Sequence, residues 1–202
     1  MPILTGTQTH SIAGSTYGFS GKRIEDLGAS EYTLVVLAAD TSGSVCSFLP
    51  DIENCIKNIV GSCERSPRAD NLMLRLTRFD HSVEEVHGFK PLPECNRDDY
   101  IGVMRAGGAT ALYDATHNAI ESAAQYGKSL SQHDFDVNAI VFIITDGEDN
   151  SSAMTANGVK KSIQNVIREE NLDSLLTVLV GVNVQQRSLS FALIGSLALS
   201  LS

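Results

Sequence analysis

The chain has 202 residues, 43% of them hydrophobic and 19% charged, which is enough apolar material for one domain with a single sizeable core. Its 15 Lys and Arg against 24 Asp and Glu leave a formal net charge of -9. That balance excludes non-specific attraction to nucleic acid or to an anionic membrane, both of which need a positive field, and leaves another protein as the expected partner.

Residues 1–30 are rich in Gly, Ser and Thr and carry no sustained period, so they are read as an N-terminal arm. The first ten residues have neither a basic start nor an apolar stretch long enough for a secretory signal. Residues 31–187 form the expected domain, in which strand-like and helix-like segments alternate as in a parallel sheet flanked by helices. Residues 33–39 are apolar on both faces, as a central strand between helix layers must be. Val45, Leu49, Ile52, Ile56, Ile59, Val60 and Cys63 then recur every three or four residues and predict a covering helix.

Residues 72–79 and 83–89 read as a hairpin, its second strand antiparallel and near an edge of the sheet. A helix beginning near Thr110 shows Leu112, Ala115, Ala119, Ile120 and Ala123 on one face, and residues 138–145 form a second all-apolar strand. Val159, Ile163, Val166 and Ile167 mark another helix, and residues 175–182 another buried strand. Residues 188–202 are an uncharged tail that mixes Leu with Ser without a clean period. A truncated or frame-shifted end of the domain and a genuine short element packed on the sheet are both compatible with it. Residues 189–201 fall short of the ~20 apolar residues that a spanning helix requires.

The four cysteines, Cys46, Cys55, Cys63 and Cys95, show neither Cys-x-x-Cys pairs nor the dense spacing of a disulfide scaffold, and read as free thiols in a reducing cytoplasm. The five histidines make no His-x-x-x-His pair and stand outside the segments that carry the chemistry.

Those segments are three. Asp40-Thr41-Ser42-Gly43-Ser44 follows the first central strand directly, Gly107-Gly108-Ala109-Thr110 opens a helix, and Thr145-Asp146-Gly147 ends the second central strand. In an open parallel sheet ligands bind beyond the carboxyl ends of the strands, where Asp40 and Asp146 both fall. Asp40, Ser42, Ser44, Thr110 and Asp146 together supply an all-oxygen set with two anionic members, suited to a hard cation such as Mg2+ or Mn2+. If the hydroxyls bind directly and the aspartates act largely through water, the ion keeps electrophilic character and can accept a carboxylate from outside. Asp114, four residues after Thr110, is a candidate to support the site; Glu148 and Asp149 read as a solvated acidic loop; Arg105 reads most simply as a solvated loop charge, with holding the loop or meeting an acidic partner as alternatives. The residues after Asp146 fail the calcium-loop spacing, because the glycine comes in second place.

On these residues the chain resembles the von Willebrand factor A-type (VWA) domain family. Its metal-ion-dependent adhesion site (MIDAS) has the pattern Asp-x-Ser-x-Ser, then a distant Thr, then a distant Asp. Asp40, Ser42 and Ser44 match the first part, Thr110 the second and Asp146 the third, and the resemblance spans roughly residues 31–183. It implies a Rossmann-like α/β fold, mainly parallel with one antiparallel edge strand and helices on both faces. It also implies a non-enzymatic module that holds a divalent cation and takes an acidic side chain of a partner protein through it. The bacterial intracellular members are the nearest in kind.

Two other functions compete. A Mg2+-dependent phosphohydrolase could use Asp40 as nucleophile, but such enzymes of the haloacid dehalogenase kind want a second carboxylate where this chain has Ser42. An accessory subunit of a motor ATPase complex is the other; the chain has no Gly-x-x-x-x-Gly-Lys loop, so nucleotide chemistry would belong to its partner.

Overall fold

The computed structural model describes residues 6–12, 15–147 and 149–183, and the backbone of 188–198. In chain order its elements are β1 (Thr7–Ser11), β2 (Gly18–Lys22), β3 (Glu31–Asp40), α1 (Leu49–Glu64), β4 (Leu72–Phe79), β5 (Val83–Pro91), α2 (Leu112–Ser131), β6 (Asp136–Thr145), α3 (Ala156–Glu169), β7 (Ser174–Asn183) and β8 (Ser188–Ala198). The strands form one sheet in the order β1-β2-β5-β4-β3-β6-β7-β8. The fold is α/β, with a mixed sheet whose central strands β4, β3, β6 and β7 run parallel.

The two-sided apolar character of β3 follows from its place in the middle. Leu34, Val36 and Ala38 point into a core shared with Ala115, Ala119, Ile120 and Ala123 of α2 and Val159 and Val166 of α3. Val35, Leu37 and Ala39 alternate onto the other face and pack with Ile52, Ile56 and Val60 of α1. The alanines of α2 let that helix lie close to the sheet.

The predicted stripe that starts at Val45 divides into two pieces. Gly43–Phe48 is a 3-10 turn, and the α-helix proper begins at Leu49, where Pro50 occupies the first turn. Proline is accepted there because its missing N–H is unused at a helix start, and it cannot continue a helix from the preceding turn.

The single antiparallel edge strand expected from sequence needs correction. β5 is antiparallel to β4, but it lies inside the sheet, because β2 pairs with it on its far side and β1 pairs antiparallel with β2. At the other end β8 runs antiparallel to β7 over its whole length. Residues 7–22, read as an arm, therefore close one side of the sheet as a hairpin.

A polar clamp holds that hairpin down. Arg75 of β4 is fully buried, and its Nε donates to Glu85 Oε2 at 2.8 Å while its NH1 donates to Asn118 Oδ1 and Ser122 Oγ of α2. Glu85 in turn accepts from the backbone N–H of Ser20 in β2. Phe19, buried beside it, stacks on His10 and meets Phe89 edge-on. Among the described residues no helix is long and apolar enough to cross a membrane.

Candidate functional site

β3 and β6 are neighbours, yet the chain leaves β3 toward β4 on one side and reaches β6 only after crossing back through α2. Such a reversal opens a crevice beyond the carboxyl ends of the two strands. Asp40 is the last residue of β3, and Asp146 follows the last residue of β6.

Asp40 is fully buried. One carboxylate oxygen accepts the backbone N–H of Ser42 at 2.8 Å and the other accepts the hydroxyl of Thr145 at 2.6 Å. Burial pushes its carboxyl above the ordinary range, against these hydrogen bonds, and the nearby charge of Asp146 pushes the same way. The Ser44 hydroxyl donates to Asp146 Oδ1 at 3.0 Å and lies 3.1 Å from the Ser42 hydroxyl. Ser44 has one proton, so Ser42 is the donor in that pair. Asp40, Ser42, Ser44 and Asp146 are thus joined in one hydrogen-bonded set, with Asp40 and Ser42 buried at the floor and Ser44 exposed at the rim.

Thr110 comes to the same crevice through its backbone. Gly107 N–H donates to Thr41 O at 2.7 Å and Gly43 N–H to Gly108 O at 3.0 Å, which ties the second segment to the first. Thr110 N–H donates to Asn150 Oδ1 at 2.7 Å, and Thr110 O accepts from Asn150 and Ser151, which ties it to the loop after Asp146. Thr110 is buried. No direct hydrogen bond joins it to the other four predicted residues among the described contacts. Gly107 packs closely on Asp80, so a methyl group there would displace the Asp80 carboxylate.

The donor set fits a hard divalent cation: every side chain offers oxygen, two are carboxylates, and among the described residues neither Asp40 nor Asp146 has a basic partner. The buried Asp40 and the half-buried Asp146 lie close enough for their charges to oppose each other without a counter-charge, a cost that a nearby cation would offset.

The supporting residues differ from those expected. Asp114 accepts from the backbone N–H groups of Ala153 and Met154 at 3.0 and 2.8 Å, so it anchors the loop after Asp146 and does not face the five. Asp149, read as solvated, accepts from the N–H of Tyr113 and the hydroxyl of Ser152. Glu148 lies outside the described residues. Thr145, Asn150 and Asp80 were missed. Thr145 was legible, since it precedes Asp146 on a strand paired in register with β3. The contact of Asn150 with Thr110 bridges 40 positions and leaves no trace in local pattern.

No family model matches the chain, and no curated protein matches it. Several solved structures are similar. The PilB minor pilin from Streptococcus sanguinis is 15% identical, with 62% of this chain and 32% of that chain covered and a TM-score of 0.45. Proximal thread matrix protein 1 from the mussel byssus is 16% identical, with 76% and 36% covered and a TM-score of 0.50. The pilus adhesin SpaC from Lactobacillus rhamnosus GG, in an open conformation, is 13% identical, with 61% and 15% covered and a TM-score of 0.41. This chain spans about a third or less of the length of each. At such identity the likeness to the byssus protein concerns the fold alone.

These findings correct the family assignment made from the motifs. No family model supports the von Willebrand factor A-type name, and among the described residues no group of three or more His, Cys, Asp or Glu could hold a metal ion. The VWA and MIDAS names are therefore dropped. Five short-range matches define a donor pattern, and a donor pattern is not a lineage.

Proposed function

We propose that this chain is a non-enzymatic protein-binding module in which Asp40, Ser42, Ser44, Thr110 and Asp146 hold a divalent cation, Mg2+ or Mn2+. Through that cation it takes an acidic side chain of a partner protein. The observation that carries the reading is the hydrogen-bonded set formed by Ser42, Ser44 and Asp146 beside the fully buried, uncompensated Asp40. Its place at the reversal of strand order supports the reading too, since sheets of the Rossmann-like kind receive ligands there. A small ion that keeps some of its water leaves room for one carboxylate from outside.

The phosphohydrolase alternative fits less well. Asp40 has no exposed surface and both its oxygens accept hydrogen bonds, a poor disposition for a nucleophile that must reach a phosphorus atom. Four free thiols, two of them buried, suit the reducing interior of a cell, the compartment this reading assigns.

Affinity capture on the immobilised chain, run in Mg2+ and in EDTA beside the Ser42→Ala/Ser44→Ala variant, tests the proposal. A protein retained by the wild type in Mg2+ alone and lost with the variant is the expected result. Retention that is indifferent to EDTA and to the variant would refute it.

A further inference from the structure

Beside the crevice lies a polar pocket of about 310 Å3 whose walls include Thr41, Arg78, Asp80, His81, Arg105 and Gly107. It shares two of these with the candidate cation site: Thr41 stands between Asp40 and Ser42, and the Gly107 N–H donates to the Thr41 carbonyl. Most charges in it are engaged. Arg78 donates twice to Glu84, at 3.0 and 2.7 Å, and once to Val103 O. Asp80 accepts from the N–H and the hydroxyl of Ser82, and His81 Nδ1 lies 3.0 Å from it.

Arg105 differs. It is exposed, and among the described residues it makes neither an ion pair nor a hydrogen bond. Lys22, Arg68, Arg75, Arg78 and Arg97 each meet a glutamate; Arg105, like Arg23, Arg65 and Arg168, meets none among the described residues, and of these four it is the one that lines this pocket. An arginine left without one, on the rim of a pocket that adjoins an anion-accepting site, points outward to a charge on another molecule.

We propose that this pocket is a second subsite, in which Arg105 receives a second acidic side chain from the same partner segment whose first acid meets the cation. The inference rests on the cation reading above and names the partner more closely: a segment with two acids near each other in sequence.

Three blocked Gly/Ser hexapeptides test it, carrying one Glu, two adjacent Glu, or two Glu separated by one residue. Each is titrated into the whole chain in Mg2+ and in EDTA at fixed ionic strength, and binding is followed by amide and Arg Nε chemical shifts. In Mg2+ at least one diacidic peptide is expected to bind about threefold to fivefold more tightly than the monoacidic one, as one exposed ion pair allows. Arg105→Ala is expected to erase that preference while leaving monoacid binding unchanged, and Arg105→Glu to reverse it. If the monoacid binds in a Mg2+-dependent way but no diacid gains, or the gain survives Arg105→Ala, the subsite is overturned and the cation reading stands. If no peptide binds better in Mg2+ than in EDTA, the cation reading fails and this proposal fails with it.

Discussion

Asp40 is the residue on which the account turns, because it is a fully buried acid whose oxygens meet only an amide and a hydroxyl. Asp40→Asn keeps an acceptor for the Ser42 N–H and offers Thr145 a donor, while removing the uncompensated charge. In metal-free buffer the variant is expected to be more stable by about 1 kcal/mol in urea denaturation. It should also lose any stabilisation by Mg2+. A variant less stable than wild type without metal would show that Asp40 is a structural hydrogen-bond acceptor and nothing more. A second prediction concerns His87, where burial holds the imidazole down to about 4, helped by Lys90 and Arg75 against its bond to Gly88 O. With its folded value below the unfolded one, neutral His87 contributes stability above pH 6.5, and that contribution is lost as pH falls toward 4. Urea melts across this window should show a loss of about 3 kcal/mol that His87→Gln largely removes; a loss of the same size in His87→Gln would exclude the assignment. At this scale the placement of Asp40 and Asp146 was readable in sequence, because each closes an apolar run. Placement was not readable where the contact is long-range, as with Asn150 on Thr110 or Asp114 on the loop at 153–154.

Among the elements, β3, β4, β6, β7, α2 and α3 lie where the sequence places them and α1 starts one turn later, because burial on two faces or one stripe writes a strong period. β1 and β2 did not announce themselves: five residues each, with glycines at Gly18 and Gly21, they bury little beyond Phe19. They are held instead by Arg75 and Glu85, a pair made across a hairpin. Arg75→Ala is expected to cost about 3 to 5 kcal/mol, since it strands Glu85 beside buried partners. Limited proteolysis should then cut first within residues 12–17, and an unchanged cleavage pattern would argue against the clamp. At the end of α3, Glu170 adopts a left-handed conformation with φ of 51° that glycine takes without strain. Glu170→Gly is expected to raise stability by about 0.5 to 1 kcal/mol, and a thermal melt lowered by the change would contradict that.

For the whole molecule, an α/β sheet brings three distant segments to one crevice, and the loop bonds between Thr41, Gly43, Gly107 and Gly108 keep them in register. The α/β class was legible from the alternation of strand and helix patterns, whereas the sheet's true edges were not, because pairing of short terminal strands depends on partners far along the chain. A family name drawn from the motif residues did not survive comparison with known proteins, although the donor geometry on which the functional proposal rests stands independently of it. If that geometry holds a cation, binding must stabilise the fold. With two carboxylates the affinity should be modest, a Kd of about 0.5 mM, so about 10 mM Mg2+ should add about 1.8 kcal/mol. The most direct measurement is isothermal titration of Mg2+ into the metal-stripped chain, with the Ser42→Ala/Ser44→Ala variant alongside. One saturable site in the wild type that vanishes in the variant is the predicted result. Heats of dilution alone in both proteins would contradict the central claim.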